Sequence, residues 1–262
     1  MAKTQSMISR LECTELRKSY GAVEVLAGVG LTVGHGETVA IMGRSGCGKS
    51  TLLRCLALLE DANKGDAYLE GQQYLAGGKP VFAPWQLRSQ VTLIFQEFNL
   101  FPHMTGLRNL TIALEEVRGM PAADAKEVAV AMARRLGIEQ QLQQYPETLS
   151  GGEAQRLALA RAMLLQPSVL LCDEITSALD PESIASVVEA IRHIRAADER
   201  GGLGIVLVTH LLHFAAEFAD RIAFMHNGVI LEEGPARKFA ESCQSPEARD
   251  FVARFGQRTL QS

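Results

Sequence analysis

The chain is poor in three things. Aromatic residues make up 6% of its 262 positions, with a single tryptophan. Charge is nearly balanced: 26 basic against 30 acidic side chains leave a net charge of −4. Its apolar stretches, "MLL" and "IVLV" among them, fall far short of the roughly 20 residues that cross a bilayer. Without a basic surplus the chain does not read as a nucleic-acid binder. Without a spanning segment it reads as soluble, held at a membrane only through something else. The opening "MAKTQSMISRLECTE" has no apolar run of signal-peptide length. The cysteines, Cys13, Cys47, Cys55, Cys172 and Cys243, lack C-x-x-C or Cys/His spacing. That excludes a zinc framework and points to reduced, cytosolic thiols.

Apolar residues reach 47% and charged residues 21%, enough for a core and unlike a disordered chain. The length suits one elaborated α/β domain with an inserted lobe. No internal repeat or low-complexity tract stands out. Short β-like segments run from Met7 to "ETVAIMG". "KSTLLRCLALLE" follows, with Leu52, Cys55, Leu56 and Leu59 at helical spacing. "KGDAYLEGQQYL" reads as a hairpin and "SQVTLIFQ" as a buried strand. From about Asn99 to Leu165 the texture is helical, and Pro121 sits where a helix can begin. "SVLLCDE" and "LGIVLVTH" are strands around the helix "DPESIASVVEAIRHIRA". From Arg221 come two more strands, "RIAFMHNG" and "VILEEG", and then polar helices. Strands alternating with helices imply a parallel sheet. The helical block in between implies a side lobe.

Three segments carry chemistry. Gly43-Arg44-Ser45-Gly46-Cys47-Gly48-Lys49-Ser50 fits G-x-x-x-x-G-K-[ST], the phosphate-binding loop. Glycine lets the backbone curl until several amides face one anion, and the following helix adds its positive end. Lys49 supplies a charge for β- and γ-phosphate oxygens, and Ser50 a hydroxyl for Mg²⁺. An apolar strand before the loop and a periodic helix after it supply the required context, so the ligand is a nucleoside triphosphate. "VLLCDE" carries Asp173 to a strand end, where a carboxylate meets Mg²⁺, with Glu174 next to polarise water. "LSGGEAQR" has capping-box spacing between Ser150 and Glu153, so a helix starts there. Glycine weakens a first turn. Gly151 and Gly152 therefore suggest that something approaches this backbone closely, as at a second anion site.

The phosphate loop, LSGGE and the CDE acids, in that order, resemble the nucleotide-binding subunit of an ATP-binding-cassette (ABC) transporter, over about Leu11 to Phe255. The resemblance implies an α/β fold. Its ATPase core is a RecA-like parallel sheet of the P-loop NTPase kind, over 7–97 plus 165–234. An N-terminal antiparallel β subdomain accompanies that core. A helical subdomain is inserted at about 98–164, and a helical segment covers 235–262. The whole, 1–262, forms a single ABC ATPase domain. The resemblance also implies roles for residues. Tyr20 in "RKSYG" stacks on adenine, and residues 43 to Thr51 wrap the phosphates. Ser50, Asp173 and Gln96 of "IFQEFN" arrange Mg²⁺, Glu174 is the general base, and His210 of "VLVTH" holds the γ-phosphate. Ser150, Gly151 and Gly152 of a second subunit close over that ATP. "SALD", Ser177 to Asp180, crosses the dimer, while Asp180 before Pro181 is also an apt helix cap.

"FQEFNLFPHMTGLRNL", "ITSALDPE" and "ADRIAFMHNGVILEEGP" are similar to the ATPase subunits of bacterial importers for polar amino acids. That likeness implies a second ATPase subunit, a copy or a paralogue, and transmembrane permease subunits docked beside Gln96. It also implies, indirectly, a solute-binding protein, and a peripheral place at the cytoplasmic face of the inner membrane. Transport of another solute, and a non-transport cassette ATPase, stay as alternatives. Three positions depart from the pattern: Ile175 in place of proline, Cys172 in place of a bulkier apolar residue, and Ala154 in place of glutamine.

Overall fold

The structure, a computed structural model, describes residues 9–176, 180–196 and 202–255. Its strands are β1 (Leu11–Tyr20), β2 (Val23–Val33), β3 (Thr38–Met42), β4 (Lys64–Leu69), β5 (Gln72–Ala76), β6 (Lys79–Pro80), β7 (Val91–Ile94), β8 (Val169–Asp173), β9 (Gly204–Val208), β10 (Arg221–His226) and β11 (Val229–Pro235). Its helices are α1 (Lys49–Leu56), α2 (Pro84–Arg88), α3 (Gly106–Arg118), α4 (Ala122–Arg135), α5 (Gly151–Leu164), α6 (Pro181–Ala196), α7 (Leu212–Phe218), α8 (Phe239–Ser242) and α9 (Pro246–Phe255). Among the described residues, no helix is long and apolar enough to cross a membrane. The elements fall into two units. One takes the described residues up to Leu93, Ser168–Asp173 and 202–255; the other takes Ile94–Pro167, 174–176 and 180–196.

In the first unit, one sheet runs β11-β10-β3-β9-β8-β7. Strands β10, β3, β9 and β8 are mutually parallel along that order, and β11 pairs antiparallel to β10. Every residue of β3, β8 and β9 is buried. Parallel strands covered on both faces take just such unbroken apolar runs. The second sheet, β2-β1-β4-β5-β6, is antiparallel. In β4, Gly65, Ala67 and Leu69 are buried while their neighbours face outward, the period-two pattern of a half-covered strand. The expected hairpin forms between β4 and β5. Glu70 and Gly71 turn it, at φ +51° and +74°, the sign a type I′ turn requires.

Helix α1 packs Leu52, Leu53, Cys55 and Leu56 into the core shared by both sheets. The buried Tyr74 hydroxyl donates to the Leu56 carbonyl at 3.0 Å and so satisfies an end-of-helix acceptor. The helical spacing continued to Leu59, but the helix ends at Leu56. Leu58 turns left-handed at φ +51°, and Leu59 is exposed.

In the second unit α5 is buried nearly all round, from Gly152 to Leu164, as befits its central helix. Helix α4 buries Ala125, Ala129 and Ala133, one per turn. Thr105 caps α3, accepting from the Arg108 amide at 3.3 Å. Asn109 is buried and ties down the preceding loop. It accepts from the Phe101 amide and donates to the carbonyls of Phe101, Met104 and Thr105.

Candidate functional site

The parallel register brings the chemistry of the first unit to one sheet edge. Asp173 pairs with Val208, and Val208 with Ile41. The phosphate loop starting at Gly43, the Asp173 carboxylate and His210 therefore all lie at the carboxyl ends of β3, β8 and β9. Open α/β sheets bind ligands at those ends. His210 is half-buried and follows Thr209, whose hydroxyl accepts from the Leu211 amide at 3.1 Å.

The loop turns through Gly43, Gly46 and Gly48 at φ +153°, +78° and +108°. A Cβ at Gly43 would stand 2.1 Å from the Met225 carbonyl, so no side chain fits there. At Gly46 nothing lies within 4 Å. Its glycine serves the backbone angle alone, which leaves room above the loop. Gly48 caps α1, whose first turn carries no acidic residue. Lys49 is only 6% exposed. Its ammonium donates to the carbonyls of Gly43 at 2.9 Å and Arg44 at 3.0 Å. Among the described residues no carboxylate pairs with it. A buried cation held by neutral oxygens at a helix N-terminus is matched to an anion. Arg44 and Ser45 are exposed on the outer side of the loop. Burial pushes the half-buried Cys47 thiol up, against the charge of Lys49, so it stays protonated.

Ser50 follows Lys49 and donates its hydroxyl to Asp173 Oδ1 at 2.8 Å. Thr51 continues α1 and is half-buried. Two hard oxygen donors side by side suit Mg²⁺, which takes few protein ligands and fills its shell with water and phosphate oxygens. Among the described residues, no group of three or more His, Cys, Asp or Glu could hold a metal unaided. Tyr20 ends β1, 48% exposed, and its hydroxyl bonds Glu60.

The second unit holds the other candidates. Gln96 is exposed and lies two residues past the end of β7, which stops at Ile94, rather than ending the strand itself. Glu174 takes a left-handed backbone, φ +47°, uncommon for a residue with a side chain. Ile175, in the place of the expected proline, is buried.

The capping box forms as read. The Ser150 hydroxyl accepts from the Glu153 amide at 3.4 Å, and Glu153 accepts from the Ser150 amide and hydroxyl, both at 2.8 Å. The Ser150 amide, helped by the Ser150 hydroxyl and Gln141, holds the Glu153 carboxyl below its usual range. Gly152 has a reason within the chain: a Cβ there would lie 2.7 Å from Ser183 Oγ on α6. Sequence reading tied that glycine to an approaching ligand, and the observed neighbour is a helix of the same unit. Asp180 caps α6, accepting from the Ser183 amide at 2.9 Å and hydroxyl at 2.8 Å. Ser177, Ala178 and Leu179 lie outside the described residues.

Sequence reasoning missed Lys18 and Glu60, which surround Tyr20, and Ser183 against Gly152. Lys18 was legible in principle, since it shares a strand face with Tyr20 two residues on. The other two come from distant segments and leave no local signal.

The family described as ABC transporter matches residues 26–177. The glutamine transport ATP-binding protein GlnQ of Geobacillus stearothermophilus is 40% identical, over 92% of this chain and 97% of its own length. The arginine transport ATP-binding protein ArtM of Bacillus subtilis is 39% identical, over 94% and 99%. Among solved structures, a dimeric post-hydrolysis state of the ATP-binding cassette MJ0796, bound to ADP and Pi, aligns with a TM-score of 0.76 at 29% identity. It covers 87% of this chain and 99% of that one. On the phosphate loop, the acid at the end of β8, the signature cap and these relatives together, the chain belongs to the ABC transporter family.

Proposed function

We propose that this ATPase powers the uptake of polar amino acids. It would work as a pair of subunits beneath transmembrane permease subunits, peripheral at the cytoplasmic face of the cell membrane. The observation that carries the reading is the buried Lys49 ammonium, without a carboxylate partner among the described residues, beside the Ser50–Asp173 pair. The choice of solute rests on the relatives, whose names specify glutamine and arginine transport.

Each residue then has a task. Residues 43–51 bind the triphosphate, with Lys49 neutralising its charge. Ser50, Asp173 and Gln96 hold Mg²⁺, which when bound offsets charge on the phosphate oxygens. Glu174 takes a proton from the attacking water, His210 hydrogen-bonds the γ-phosphate, and Tyr20 carries the base. The exposed Ser150 cap, with Gly151 and Gly152, faces the nucleotide of the opposite subunit, and Asp180 lies in the loop that crosses the pair. Hydrolysis removes the bridging phosphate and the pair opens, moving the permease. A solute-binding protein would deliver the amino acid from outside.

Reconstitution with the co-expressed permease subunits in proteoliposomes tests this. ATP-dependent uptake of labelled glutamine, arginine or glutamate is the expected result. Hydrolysis without uptake of any amino acid would overturn the importer reading.

A further inference from the structure

An aromatic side chain that is half exposed at a strand end ordinarily turns freely. Tyr20 is held on two sides. Its hydroxyl bonds Glu60 Oε1, and the Lys18 ammonium stands 5.1 Å from its ring centroid. Lys18 is itself fixed, 3.3 Å from Glu60 Oε1 and donating to the Asp61 carbonyl at 2.6 Å. Its side chain is 13% exposed and that of Glu60 19%, so neither is a loose surface charge. The backbone joins in: the Ser19 amide donates to Asn63 Oδ1 at 2.6 Å, and the Asn63 amide to the Arg17 carbonyl at 2.8 Å. The end of β1 is thereby clamped to the turn 60–63 just after α1. Glu60 pushes the phenol's pKa up, and the Thr51 side chain lies near enough to oppose that shift. The ring is thus anchored near Thr51, the residue that follows the phosphate motif.

A cation over one ring face draws on the π-electrons there and leaves the other face to a flat partner. We propose that Glu60 and Lys18 are positioning residues that preset Tyr20 as a one-faced platform for the purine of the nucleotide. Glu60 fixes the rotation of the ring through its hydroxyl, and Lys18 occupies the face the base does not use. This rests on the reading that Tyr20 carries the base. A side chain already ordered loses less freedom on binding, an effect of about two- to tenfold in affinity.

Calorimetry on the full chain with ATP, and separately with inorganic tripolyphosphate, tests it. Glu60→Ala and Lys18→Met are each expected to weaken ATP binding by about two- to tenfold and to leave tripolyphosphate binding unchanged, because that probe has no base. KM for ATP rises while kcat holds. In a Tyr20→Phe background, which lacks the hydroxyl, Glu60→Ala should add little. Equal loss for both probes would mean a general structural effect and overturn the proposal. So would full ATP affinity in Glu60→Ala while Tyr20→Ala weakens binding, an outcome that spares the base-stacking reading. If Tyr20→Ala also binds ATP normally, the stacking reading falls and the proposal with it.

Discussion

Ser50 and Asp173 lie 123 positions apart in the chain, yet the Ser50 hydroxyl donates to Asp173 Oδ1 at 2.8 Å. One comes from the first turn of α1, the other from the last residue of β8. Parallel pairing through β9 brings the ends of β3 and β8 level. The fold thus sets side by side the two oxygens that would share Mg²⁺.

Asp173→Asn keeps the size of the side chain and can still accept from Ser50, but loses the charge. MgATP hydrolysis should fall by at least about 10²-fold, while ATP binding in excess EDTA stays near the wild-type level. Comparing turnover with metal-free binding checks this. Equal loss in both would move Asp173 out of the metal's reach.

Lys49→Met should separate binding from stability. ATP affinity should drop by a few kcal/mol, the usual order for deleting one side of a buried charge pair. The melting temperature without nucleotide should hold or rise, since a desolvated cation has gone. Differential scanning calorimetry with and without ATP measures both.

Glu174→Gln should bind ATP but hydrolyse it about 10²- to 10⁴-fold more slowly, the range for a general base. With turnover stalled, light scattering at saturating ATP should report a dimer. A monomer there would count against two facing subunits.

Gly152→Ala should destabilise the isolated chain even without nucleotide. Its new methyl would meet Ser183 Oγ at 2.7 Å, and Ser183 is held in place by its bonds to Asp180. Adding Ser183→Gly should recover much of the loss in melting temperature. An unchanged melt in Gly152→Ala would show that the glycine serves only a ligand.

The signature cap should weaken in acid. The amide and hydroxyl of Ser150 depress the Glu153 carboxyl below its ordinary 4.5. The folded form therefore binds protons less readily than the unfolded one. The cap's contribution is full above about pH 4.5 and is lost as pH falls through the lower folded value. Melting curves of wild type and Glu153→Gln should differ near neutral pH and converge as acid carries the pH below that lowered folded value.

Contiguous chemistry was legible in sequence. The phosphate loop is one unbroken string whose glycines, lysine and serine each answer a local need. Asp173 announces itself as an acid ending an apolar run. Spacing alone misled at Leu59, because α1 stops where Leu58 reverses its backbone angle, and at Gln96, because β7 ends early. What depends on partners far along the chain was hidden. Gly152 answers to Ser183, and Tyr20 to Glu60, across gaps that carry no periodic signal.

The ammonium of Lys49, which no carboxylate among the described residues neutralises, also bears on survival in the cell. A group that prefers company only an anion can give makes the folded state tighter whenever nucleotide is plentiful, by about 2.7 kcal/mol at a hundred times Kd. Starvation that drains ATP would then expose the chain to proteolysis at the same moment that it idles transport, coupling the lifetime of the subunit to the energy charge it spends.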